Sequence, residues 1–343
     1  MRKALILFPL LAGCGAAPLH RLAIQHNREG ASHLAAGRLD QAEARFRLAL
    51  EYNPRFSEPW ANLGIISMRR GELRLADRQL IRATSLNEDF AEAWSARGVL
   101  ALRAGDLMAA RSRFQRAIDV DPGFADARFN LARVQIQLGD PEAARAHLLR
   151  LVEIAPVMPL ARAALANADY LVGRDDEAID EANRAVELDP GCSEALVVRG
   201  MVRLRRGDWP GAAQELERAM ALGPRELDVR VQLAVALALT GDEVRSVALI
   251  EGVLQARPRH ARALFALASI RKAQGELGRA ESLLRRAVAS APGFWEAELE
   301  LARSLAARGR AAEARPYFER FLAAAPTGMR SEIHRVRADL ESE

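Results

Sequence analysis

AEAWSARGVLALRAGDLMAARSRFQRAIDVDPGF, residues 91–124, decides how the rest of the chain is read. Two stretches with apolar residues at helical spacing flank Gly105. On the first, Trp94 and Ala101 share a face with small Gly98 between them, which lets a partner helix come close. Gly105 supplies the backbone freedom for a tight reversal, and the Asp106 carboxylate is placed to cap the second helix. Ala110, Phe114 and Ala117 form that helix's apolar stripe. Pro122 ends it, because the residue before a proline avoids the α region.

The pattern returns every 34 residues, nine times without a gap: 23–56, 57–90, 91–124, 125–158, 159–192, 193–226, 227–260, 261–294 and 295–328. Counting each repeat from 1, position 15 is glycine in all nine. Position 32 is proline in eight, with Glu88 the exception, and position 20 is alanine in eight, with Ser246 the exception. Position 8 is always glycine or alanine. With Trp94, Gly98, Gly105, Ala110, Phe114, Ala117 and Pro122 at their characteristic places, the chain resembles the tetratricopeptide repeat (TPR) family. The resemblance implies an all-α fold, a right-handed α-solenoid of nine helix pairs. Residues 329–343 carry a short apolar stripe (Ile333, Val336, Leu340) that fits the capping helix such arrays need.

Composition agrees. A solenoid grows by stacking, so 343 residues need no single globular core. Half the residues are hydrophobic and only 5% aromatic, in keeping with alanine- and leucine-packed helix pairs. Arginines are interleaved with Glu and Asp, and the formal net charge of +4 is small for this length. The sequence pI of about 9.5 prompts a test for nucleic-acid binding, but no aromatic stacking platform or nucleic-acid motif is present.

The first residues stand apart. Met1-Arg2-Lys3 is a short basic region and residues 4–11 an apolar run too short to span a bilayer as a mature helix. The run ends in Leu11-Ala12-Gly13-Cys14, which resembles the lipobox of bacterial lipoproteins. That resemblance implies removal of residues 1–13 as a signal peptide and acylation of Cys14. Several acyl chains give a stable anchor, at about 0.8 kcal/mol per buried methylene. Residues 14–22 would form the tether, and the eight after Cys14 reach at most about 26–29 Å. By the sorting rules of enteric lipoproteins, Gly15 after the cysteine implies the outer membrane, with the chain facing the periplasm. The remaining cysteine, Cys192, sits at a repeat junction and reads as a small packing residue.

Chemistry is sparse. The six histidines are scattered without metal-ligand spacing, and no phosphate-cradling glycine loop or nucleophile elbow occurs. Signal, tether, repeats and cap use up the chain, which argues against an enzyme and calls for no cofactor, metal or small-molecule substrate.

Function then rests on surface. In TPR arrays positions 2, 5, 6, 9, 12 and 13 of the first helices line a groove. Here these positions supply Asn62, Arg69, Arg103, Phe129, Asn130, Arg133, Tyr170, Arg205, Phe265 and Lys272, a mixed apolar and basic lining suited to protein or peptide segments. Arg69, Arg103 and Arg205 also fall in the last turn of their helices, where a cation offsets the macrodipole, so each has two readings. The two-carboxylate clamp of chaperone-tail-binding TPR proteins is missing: Asn27, Ala31, Glu92 and Ala96 replace its other members and only Asn62 fits. Repeats five and seven depart from the pattern at Ala182, Ser246 and Gly252, either as softer joints or as looser packing.

Taken together, the sequence suggests a non-catalytic, lipid-anchored scaffold for cell-envelope assembly, similar to the TPR lipoproteins of pilus and secretin biogenesis. Scaffolding of outer-membrane protein, peptidoglycan or exopolysaccharide machinery is the alternative within the class. A non-catalytic subunit of an enzyme complex is the alternative outside it.

Overall fold

The structure, a computed structural model, describes residues 20–223, 227–324 and 329–341. The expected signal peptide, the lipidation site Cys14 and the tether up to residue 19 lie outside the described residues. Among the described residues there are nineteen α-helices and no strand, and the chain divides into two compact units, Met1–Arg174 and Asp175–Glu343.

The first unit holds α1 (Arg21–Ala35), α2 (Leu39–Tyr52), α3 (Ser57–Arg70), α4 (Leu73–Leu86), α5 (Ala91–Arg103), α6 (Leu107–Val120), α7 (Ala125–Gln137), α8 (Pro141–Ile154) and α9 (Pro159–Leu171). The second holds α10 (Asp175–Leu188), α11 (Ser193–Arg205), α12 (Trp209–Ala221), α13 (Leu227–Thr240), α14 (Glu243–Ala256), α15 (Ala261–Ala273), α16 (Leu277–Ser290), α17 (Trp295–Ala306), α18 (Ala311–Ala324) and α19 (Arg330–Glu341). Within each unit, consecutive helices pack as neighbours in chain order. That is the all-α solenoid the repeat pattern predicts.

The turn at Gly105 shows why position 15 is invariant. Its φ is +77°, its N–H donates to Leu102 O and the Asp106 N–H to Ala101 O. These are the two bonds of a Schellman cap, which needs a left-handed residue. Asp106 Oδ1 then accepts from Ala109 N–H at 2.9 Å and caps α6. The close approach at position 8 is equally physical. A Cβ built on Gly98 would lie 2.6 Å from the buried Phe114 ring, so the two helices meet at a distance that glycine alone permits there. Ser246 breaks the alanine stripe without cost to polar pairing, since its hydroxyl donates to Ala234 O at 2.6 Å while fully buried.

One boundary differs from the sequence reading. α1 starts at Arg21, ahead of residue 23, because His20 caps it by accepting from Leu22 N–H at 3.3 Å. The final stripe packs as expected: Val336 is buried, and Ile333 and Leu340 rest on the cluster containing Phe318 and Phe321. Among the described residues no helix is long and apolar enough to cross a membrane.

Candidate partner-binding surface

The expected groove residues divide by what holds them. In the first unit, Arg69 Nη1 donates to Leu34 O at 3.3 Å and Arg103 Nη1 to Met68 O at 2.6 Å. Those same carbonyls accept the Gly37 and Gly71 amides of their own turns. Each position-13 arginine therefore closes the C-terminus of the preceding first helix, where unpaired carbonyls concentrate negative potential. The cationic groove positions of the second unit are also engaged. Arg205 Nη1 lies 2.5 Å from Asp175 Oδ1, and Lys272 Nζ lies 2.5 Å from Glu300 Oε1.

Phe129, Asn130 and Arg133 on α7 are different. Phe129 is half-buried against the cluster around Leu165 and Ala132, and Arg133 reaches over its ring at 5.7 Å. Arg133 is exposed, and among the described residues it has no carboxylate within ion-pair distance. Asn130 uses one N–H on Asp126 O at 2.9 Å. This patch combines an apolar edge, an amide and an unpaired cation. Asn62 on α3 is half-buried and donates to Asn27 Oδ1 at 3.5 Å, and Tyr170 on α9 is half-buried. In the second unit, Phe265 meets Phe294 edge to face, with ring centroids 5.3 Å apart.

Position 2 carries a different electrostatic pattern. Burial, reinforced by the neighbouring Glu92 carboxylate, pushes the Glu58 carboxyl up to about 7. Glu92 is raised mainly by burial, and Glu296 is raised by burial against an opposing pull from Arg262. Burial likewise pushes the Cys192 thiol up, which suits a packing residue better than a nucleophile.

Position 4 holds a role that the sequence reading missed. Trp60 Nε1 donates to Pro54 O at 3.1 Å and Trp94 Nε1 to Glu88 O at 2.8 Å. Arg128 Nη2 and Arg162 Nε make the equivalent bonds to Pro122 O at 2.6 Å and Pro156 O at 3.1 Å. In repeats two to five a side-chain N–H at position 4 thus ties down the carbonyl six residues earlier, whether Trp or Arg supplies it. The signal was Trp at this position in repeats two and three and Arg in repeats four and five, two residues that share little except a long side chain carrying an N–H donor.

Comparison with known proteins bears on this architecture. Tetratricopeptide repeat family models match residues 25–47, 62–107, 95–159, 197–261, 245–293 and 271–340. No curated protein matches the sequence. Among solved structures, the chain is similar to the APC/C hetero-tetramer Cut9–Hcn1, at 18% identity and TM-score 0.63 over 78% of this chain and 52% of that one. It is also similar to PilF of Pseudomonas aeruginosa, at 19% identity and TM-score 0.54 over 61% of this chain and 95% of that one. A third likeness is to the human IFIT1 dimer with PPP-AAAA, at 18% identity and TM-score 0.56 over 78% and 68%. At these identities the likeness is one of fold.

Proposed function

The chain belongs to the tetratricopeptide repeat family, a helical scaffold for protein and peptide segments, and on that premise we propose that it is a lipid-anchored, non-catalytic scaffold for assembly of the bacterial cell envelope. The observation that carries the binding role is the α7 patch. Phe129 offers an apolar edge, Arg133 a cation without a carboxylate partner among the described residues, and Asn130 an amide, all on a first helix. A half-buried aromatic edge beside an exposed cation is the kind of feature that anchors a partner segment. Arg69, Arg103, Arg205 and Lys272 serve the fold instead, through the carbonyls and carboxylates they already hold.

The anchoring half of the reading rests on the leader sequence and on Leu11-Ala12-Gly13-Cys14. Acylated Cys14 holds the protein at the outer membrane, facing the periplasm, with pilus or secretin assembly as the process. Supporting that process are the lipobox pattern and the repeat pattern together, which resemble pilus-biogenesis lipoproteins. In-cell crosslinking, capture and mass spectrometry test both halves. Replacing Phe129 and Tyr170 with alanine should deplete the captured partners while helicity is kept; unchanged capture removes the groove assignment. Cys14→Ala should abolish labelling by a palmitate analogue and release the chain from membranes. Retained labelling sinks the anchor. Recovery of cell-wall or outer-membrane assembly factors would keep the scaffold and replace the pilus process.

A further inference from the structure

The second unit holds an open cleft of about 930 Å³, lined by the position-2 residues Asp228 and Arg262 and otherwise by the loop between α14 and α15 and the end of α16. It lies where the loop from α14 to α15 meets the end of α16 and the start of α17. Its charged and aromatic lining is Asp228, Arg257, Arg259, His260, Arg262 and Phe294, over the small apolar surfaces of Pro258 and Ala291.

Positive charge is in excess here, and its distribution is uneven. His260 Nδ1 accepts the Ala263 N–H at 3.3 Å, which leaves the ring proton on Nε2, 3.6 Å from Asp228. Arg262 stands 3.7 Å from the same carboxylate and also acts on Glu296. Asp228 is therefore shared by two partners. Arg257 and Arg259 are exposed, and among the described residues neither has a carboxylate within 4.0 Å. Arg286 adds a further guanidinium to this loop by donating to Pro258 O at 3.3 Å. Arg257 and Arg259 straddle Pro258, a spacing that suits alternate side chains of an extended segment.

We propose that this cleft docks an acidic segment of a partner protein in extended form, with its carboxylates on Arg257 and Arg259 and an intervening apolar side chain against Phe294 and Pro258. Charge complementarity names the carboxylates: unpaired guanidiniums beside an apolar floor favour bidentate carboxylate recognition. The lining argues against a nucleic-acid strand, which binds through open aromatic faces on which bases stack. Phe294 is half-buried and its ring is committed to the edge-to-face contact with Phe265. Because the cleft belongs to the second unit and shares no lining residue with Phe129, Asn130 and Arg133 of the first, this proposal stands or falls separately from the α7 patch.

The test uses the full chain and a short fluorescent peptide alternating glutamate and leucine, titrated by anisotropy. Exchanging both guanidiniums (Arg257→Gln with Arg259→Gln) should weaken binding about tenfold, the sum expected of two exposed charge pairs. The glutamine–leucine version of the peptide should lose the same affinity, and binding to the parent chain should weaken with added salt. Phe129→Ala should leave the affinity unchanged. Equal binding by the doubly substituted chain overturns the proposal, as does equal binding of the glutamine peptide. Loss on Phe129→Ala places the peptide on α7 instead. Tighter binding of a single-stranded oligothymidine, lost in the same double variant, makes the cleft a nucleic-acid site.

Discussion

The first helices of the first unit and the cleft of the second are both rich in arginine, yet the charge does different things in the two places. On α3 and α5, Arg69 and Arg103 point back along the stack and close backbone carbonyls of the preceding repeat. In the cleft, Arg257 and Arg259 leave a loop, face solvent and hold no carboxylate among the described residues. Residue type does not separate these groups, and neither does the overall charge. Place in the repeat does. A guanidinium in the last turn of a first helix has groups of the preceding repeat within reach, a carbonyl for Arg69 and Arg103 and the Asp175 carboxylate for Arg205, whereas Arg257 and Arg259 on a loop between repeats have none among the described residues.

The largest expected effect concerns the acidic half of the same α3–α5 wall. Glu58 sits with its carboxyl pushed up to about 7 by burial and by Glu92. Between the ordinary carboxylate value and about 7, the folded chain keeps a proton that the unfolded chain has lost. Stability must therefore fall as pH rises through that window and stay low above it. Glu58→Gln, which mimics the protonated form, should raise the unfolding free energy from urea titration above about pH 7 by at most about 3 kcal/mol and converge with the parent at acid pH. Parallel pH curves for the two proteins would show that the Glu58 charge is solvated rather than buried.

Next in size is Arg103→Gln. Met68 O keeps its bond from the Gly71 amide, so the loss is one charge-assisted hydrogen bond, about 1.5 kcal/mol by urea unfolding. Arg69→Gln should lose less, since its bond is longer at 3.3 Å. Partner capture should be unchanged in both. If Arg103→Gln instead weakened capture at constant stability, the division between fold-holding and partner-facing arginines would collapse for this wall.

That division also marks how far the sequence could be read. The turn at Gly105, the Asp106 cap and the close approach of the partner helix at Gly98 were legible, because each is local and returns at a fixed period. The all-α solenoid followed from the same repetition. What the repeat positions could not tell was the partner of a long side chain. Arg69, Arg103 and Arg133 all map to groove positions, but a guanidinium at the end of three methylenes can turn toward a carbonyl, a ring or solvent. Helix register does not choose among them. The loop-edge cleft was invisible for another reason: Asp228 and His260 lie at opposite ends of one repeat and Phe294 at the end of the next, and they meet only once the repeats stack.

The smallest stability effect belongs to the cleft, and its smallness is the point. Arg257 and Arg259 are exposed and unpaired among the described residues, so exchanging both for glutamine removes no interaction that holds the fold. The unfolding free energy should stay within about 0.5 kcal/mol of the parent, the usual range for surface substitutions away from packed or paired groups. Relief of repulsion among Arg257, Arg259 and Arg286 should stabilise slightly, and this gain should fade with added salt, since screening acts most on exposed charges. A loss well beyond that range would mean these arginines hold the loop between α14 and α15 in place. They would then belong with Arg103, as parts of the scaffold, and the contrast between wall and cleft would dissolve into a single structural role.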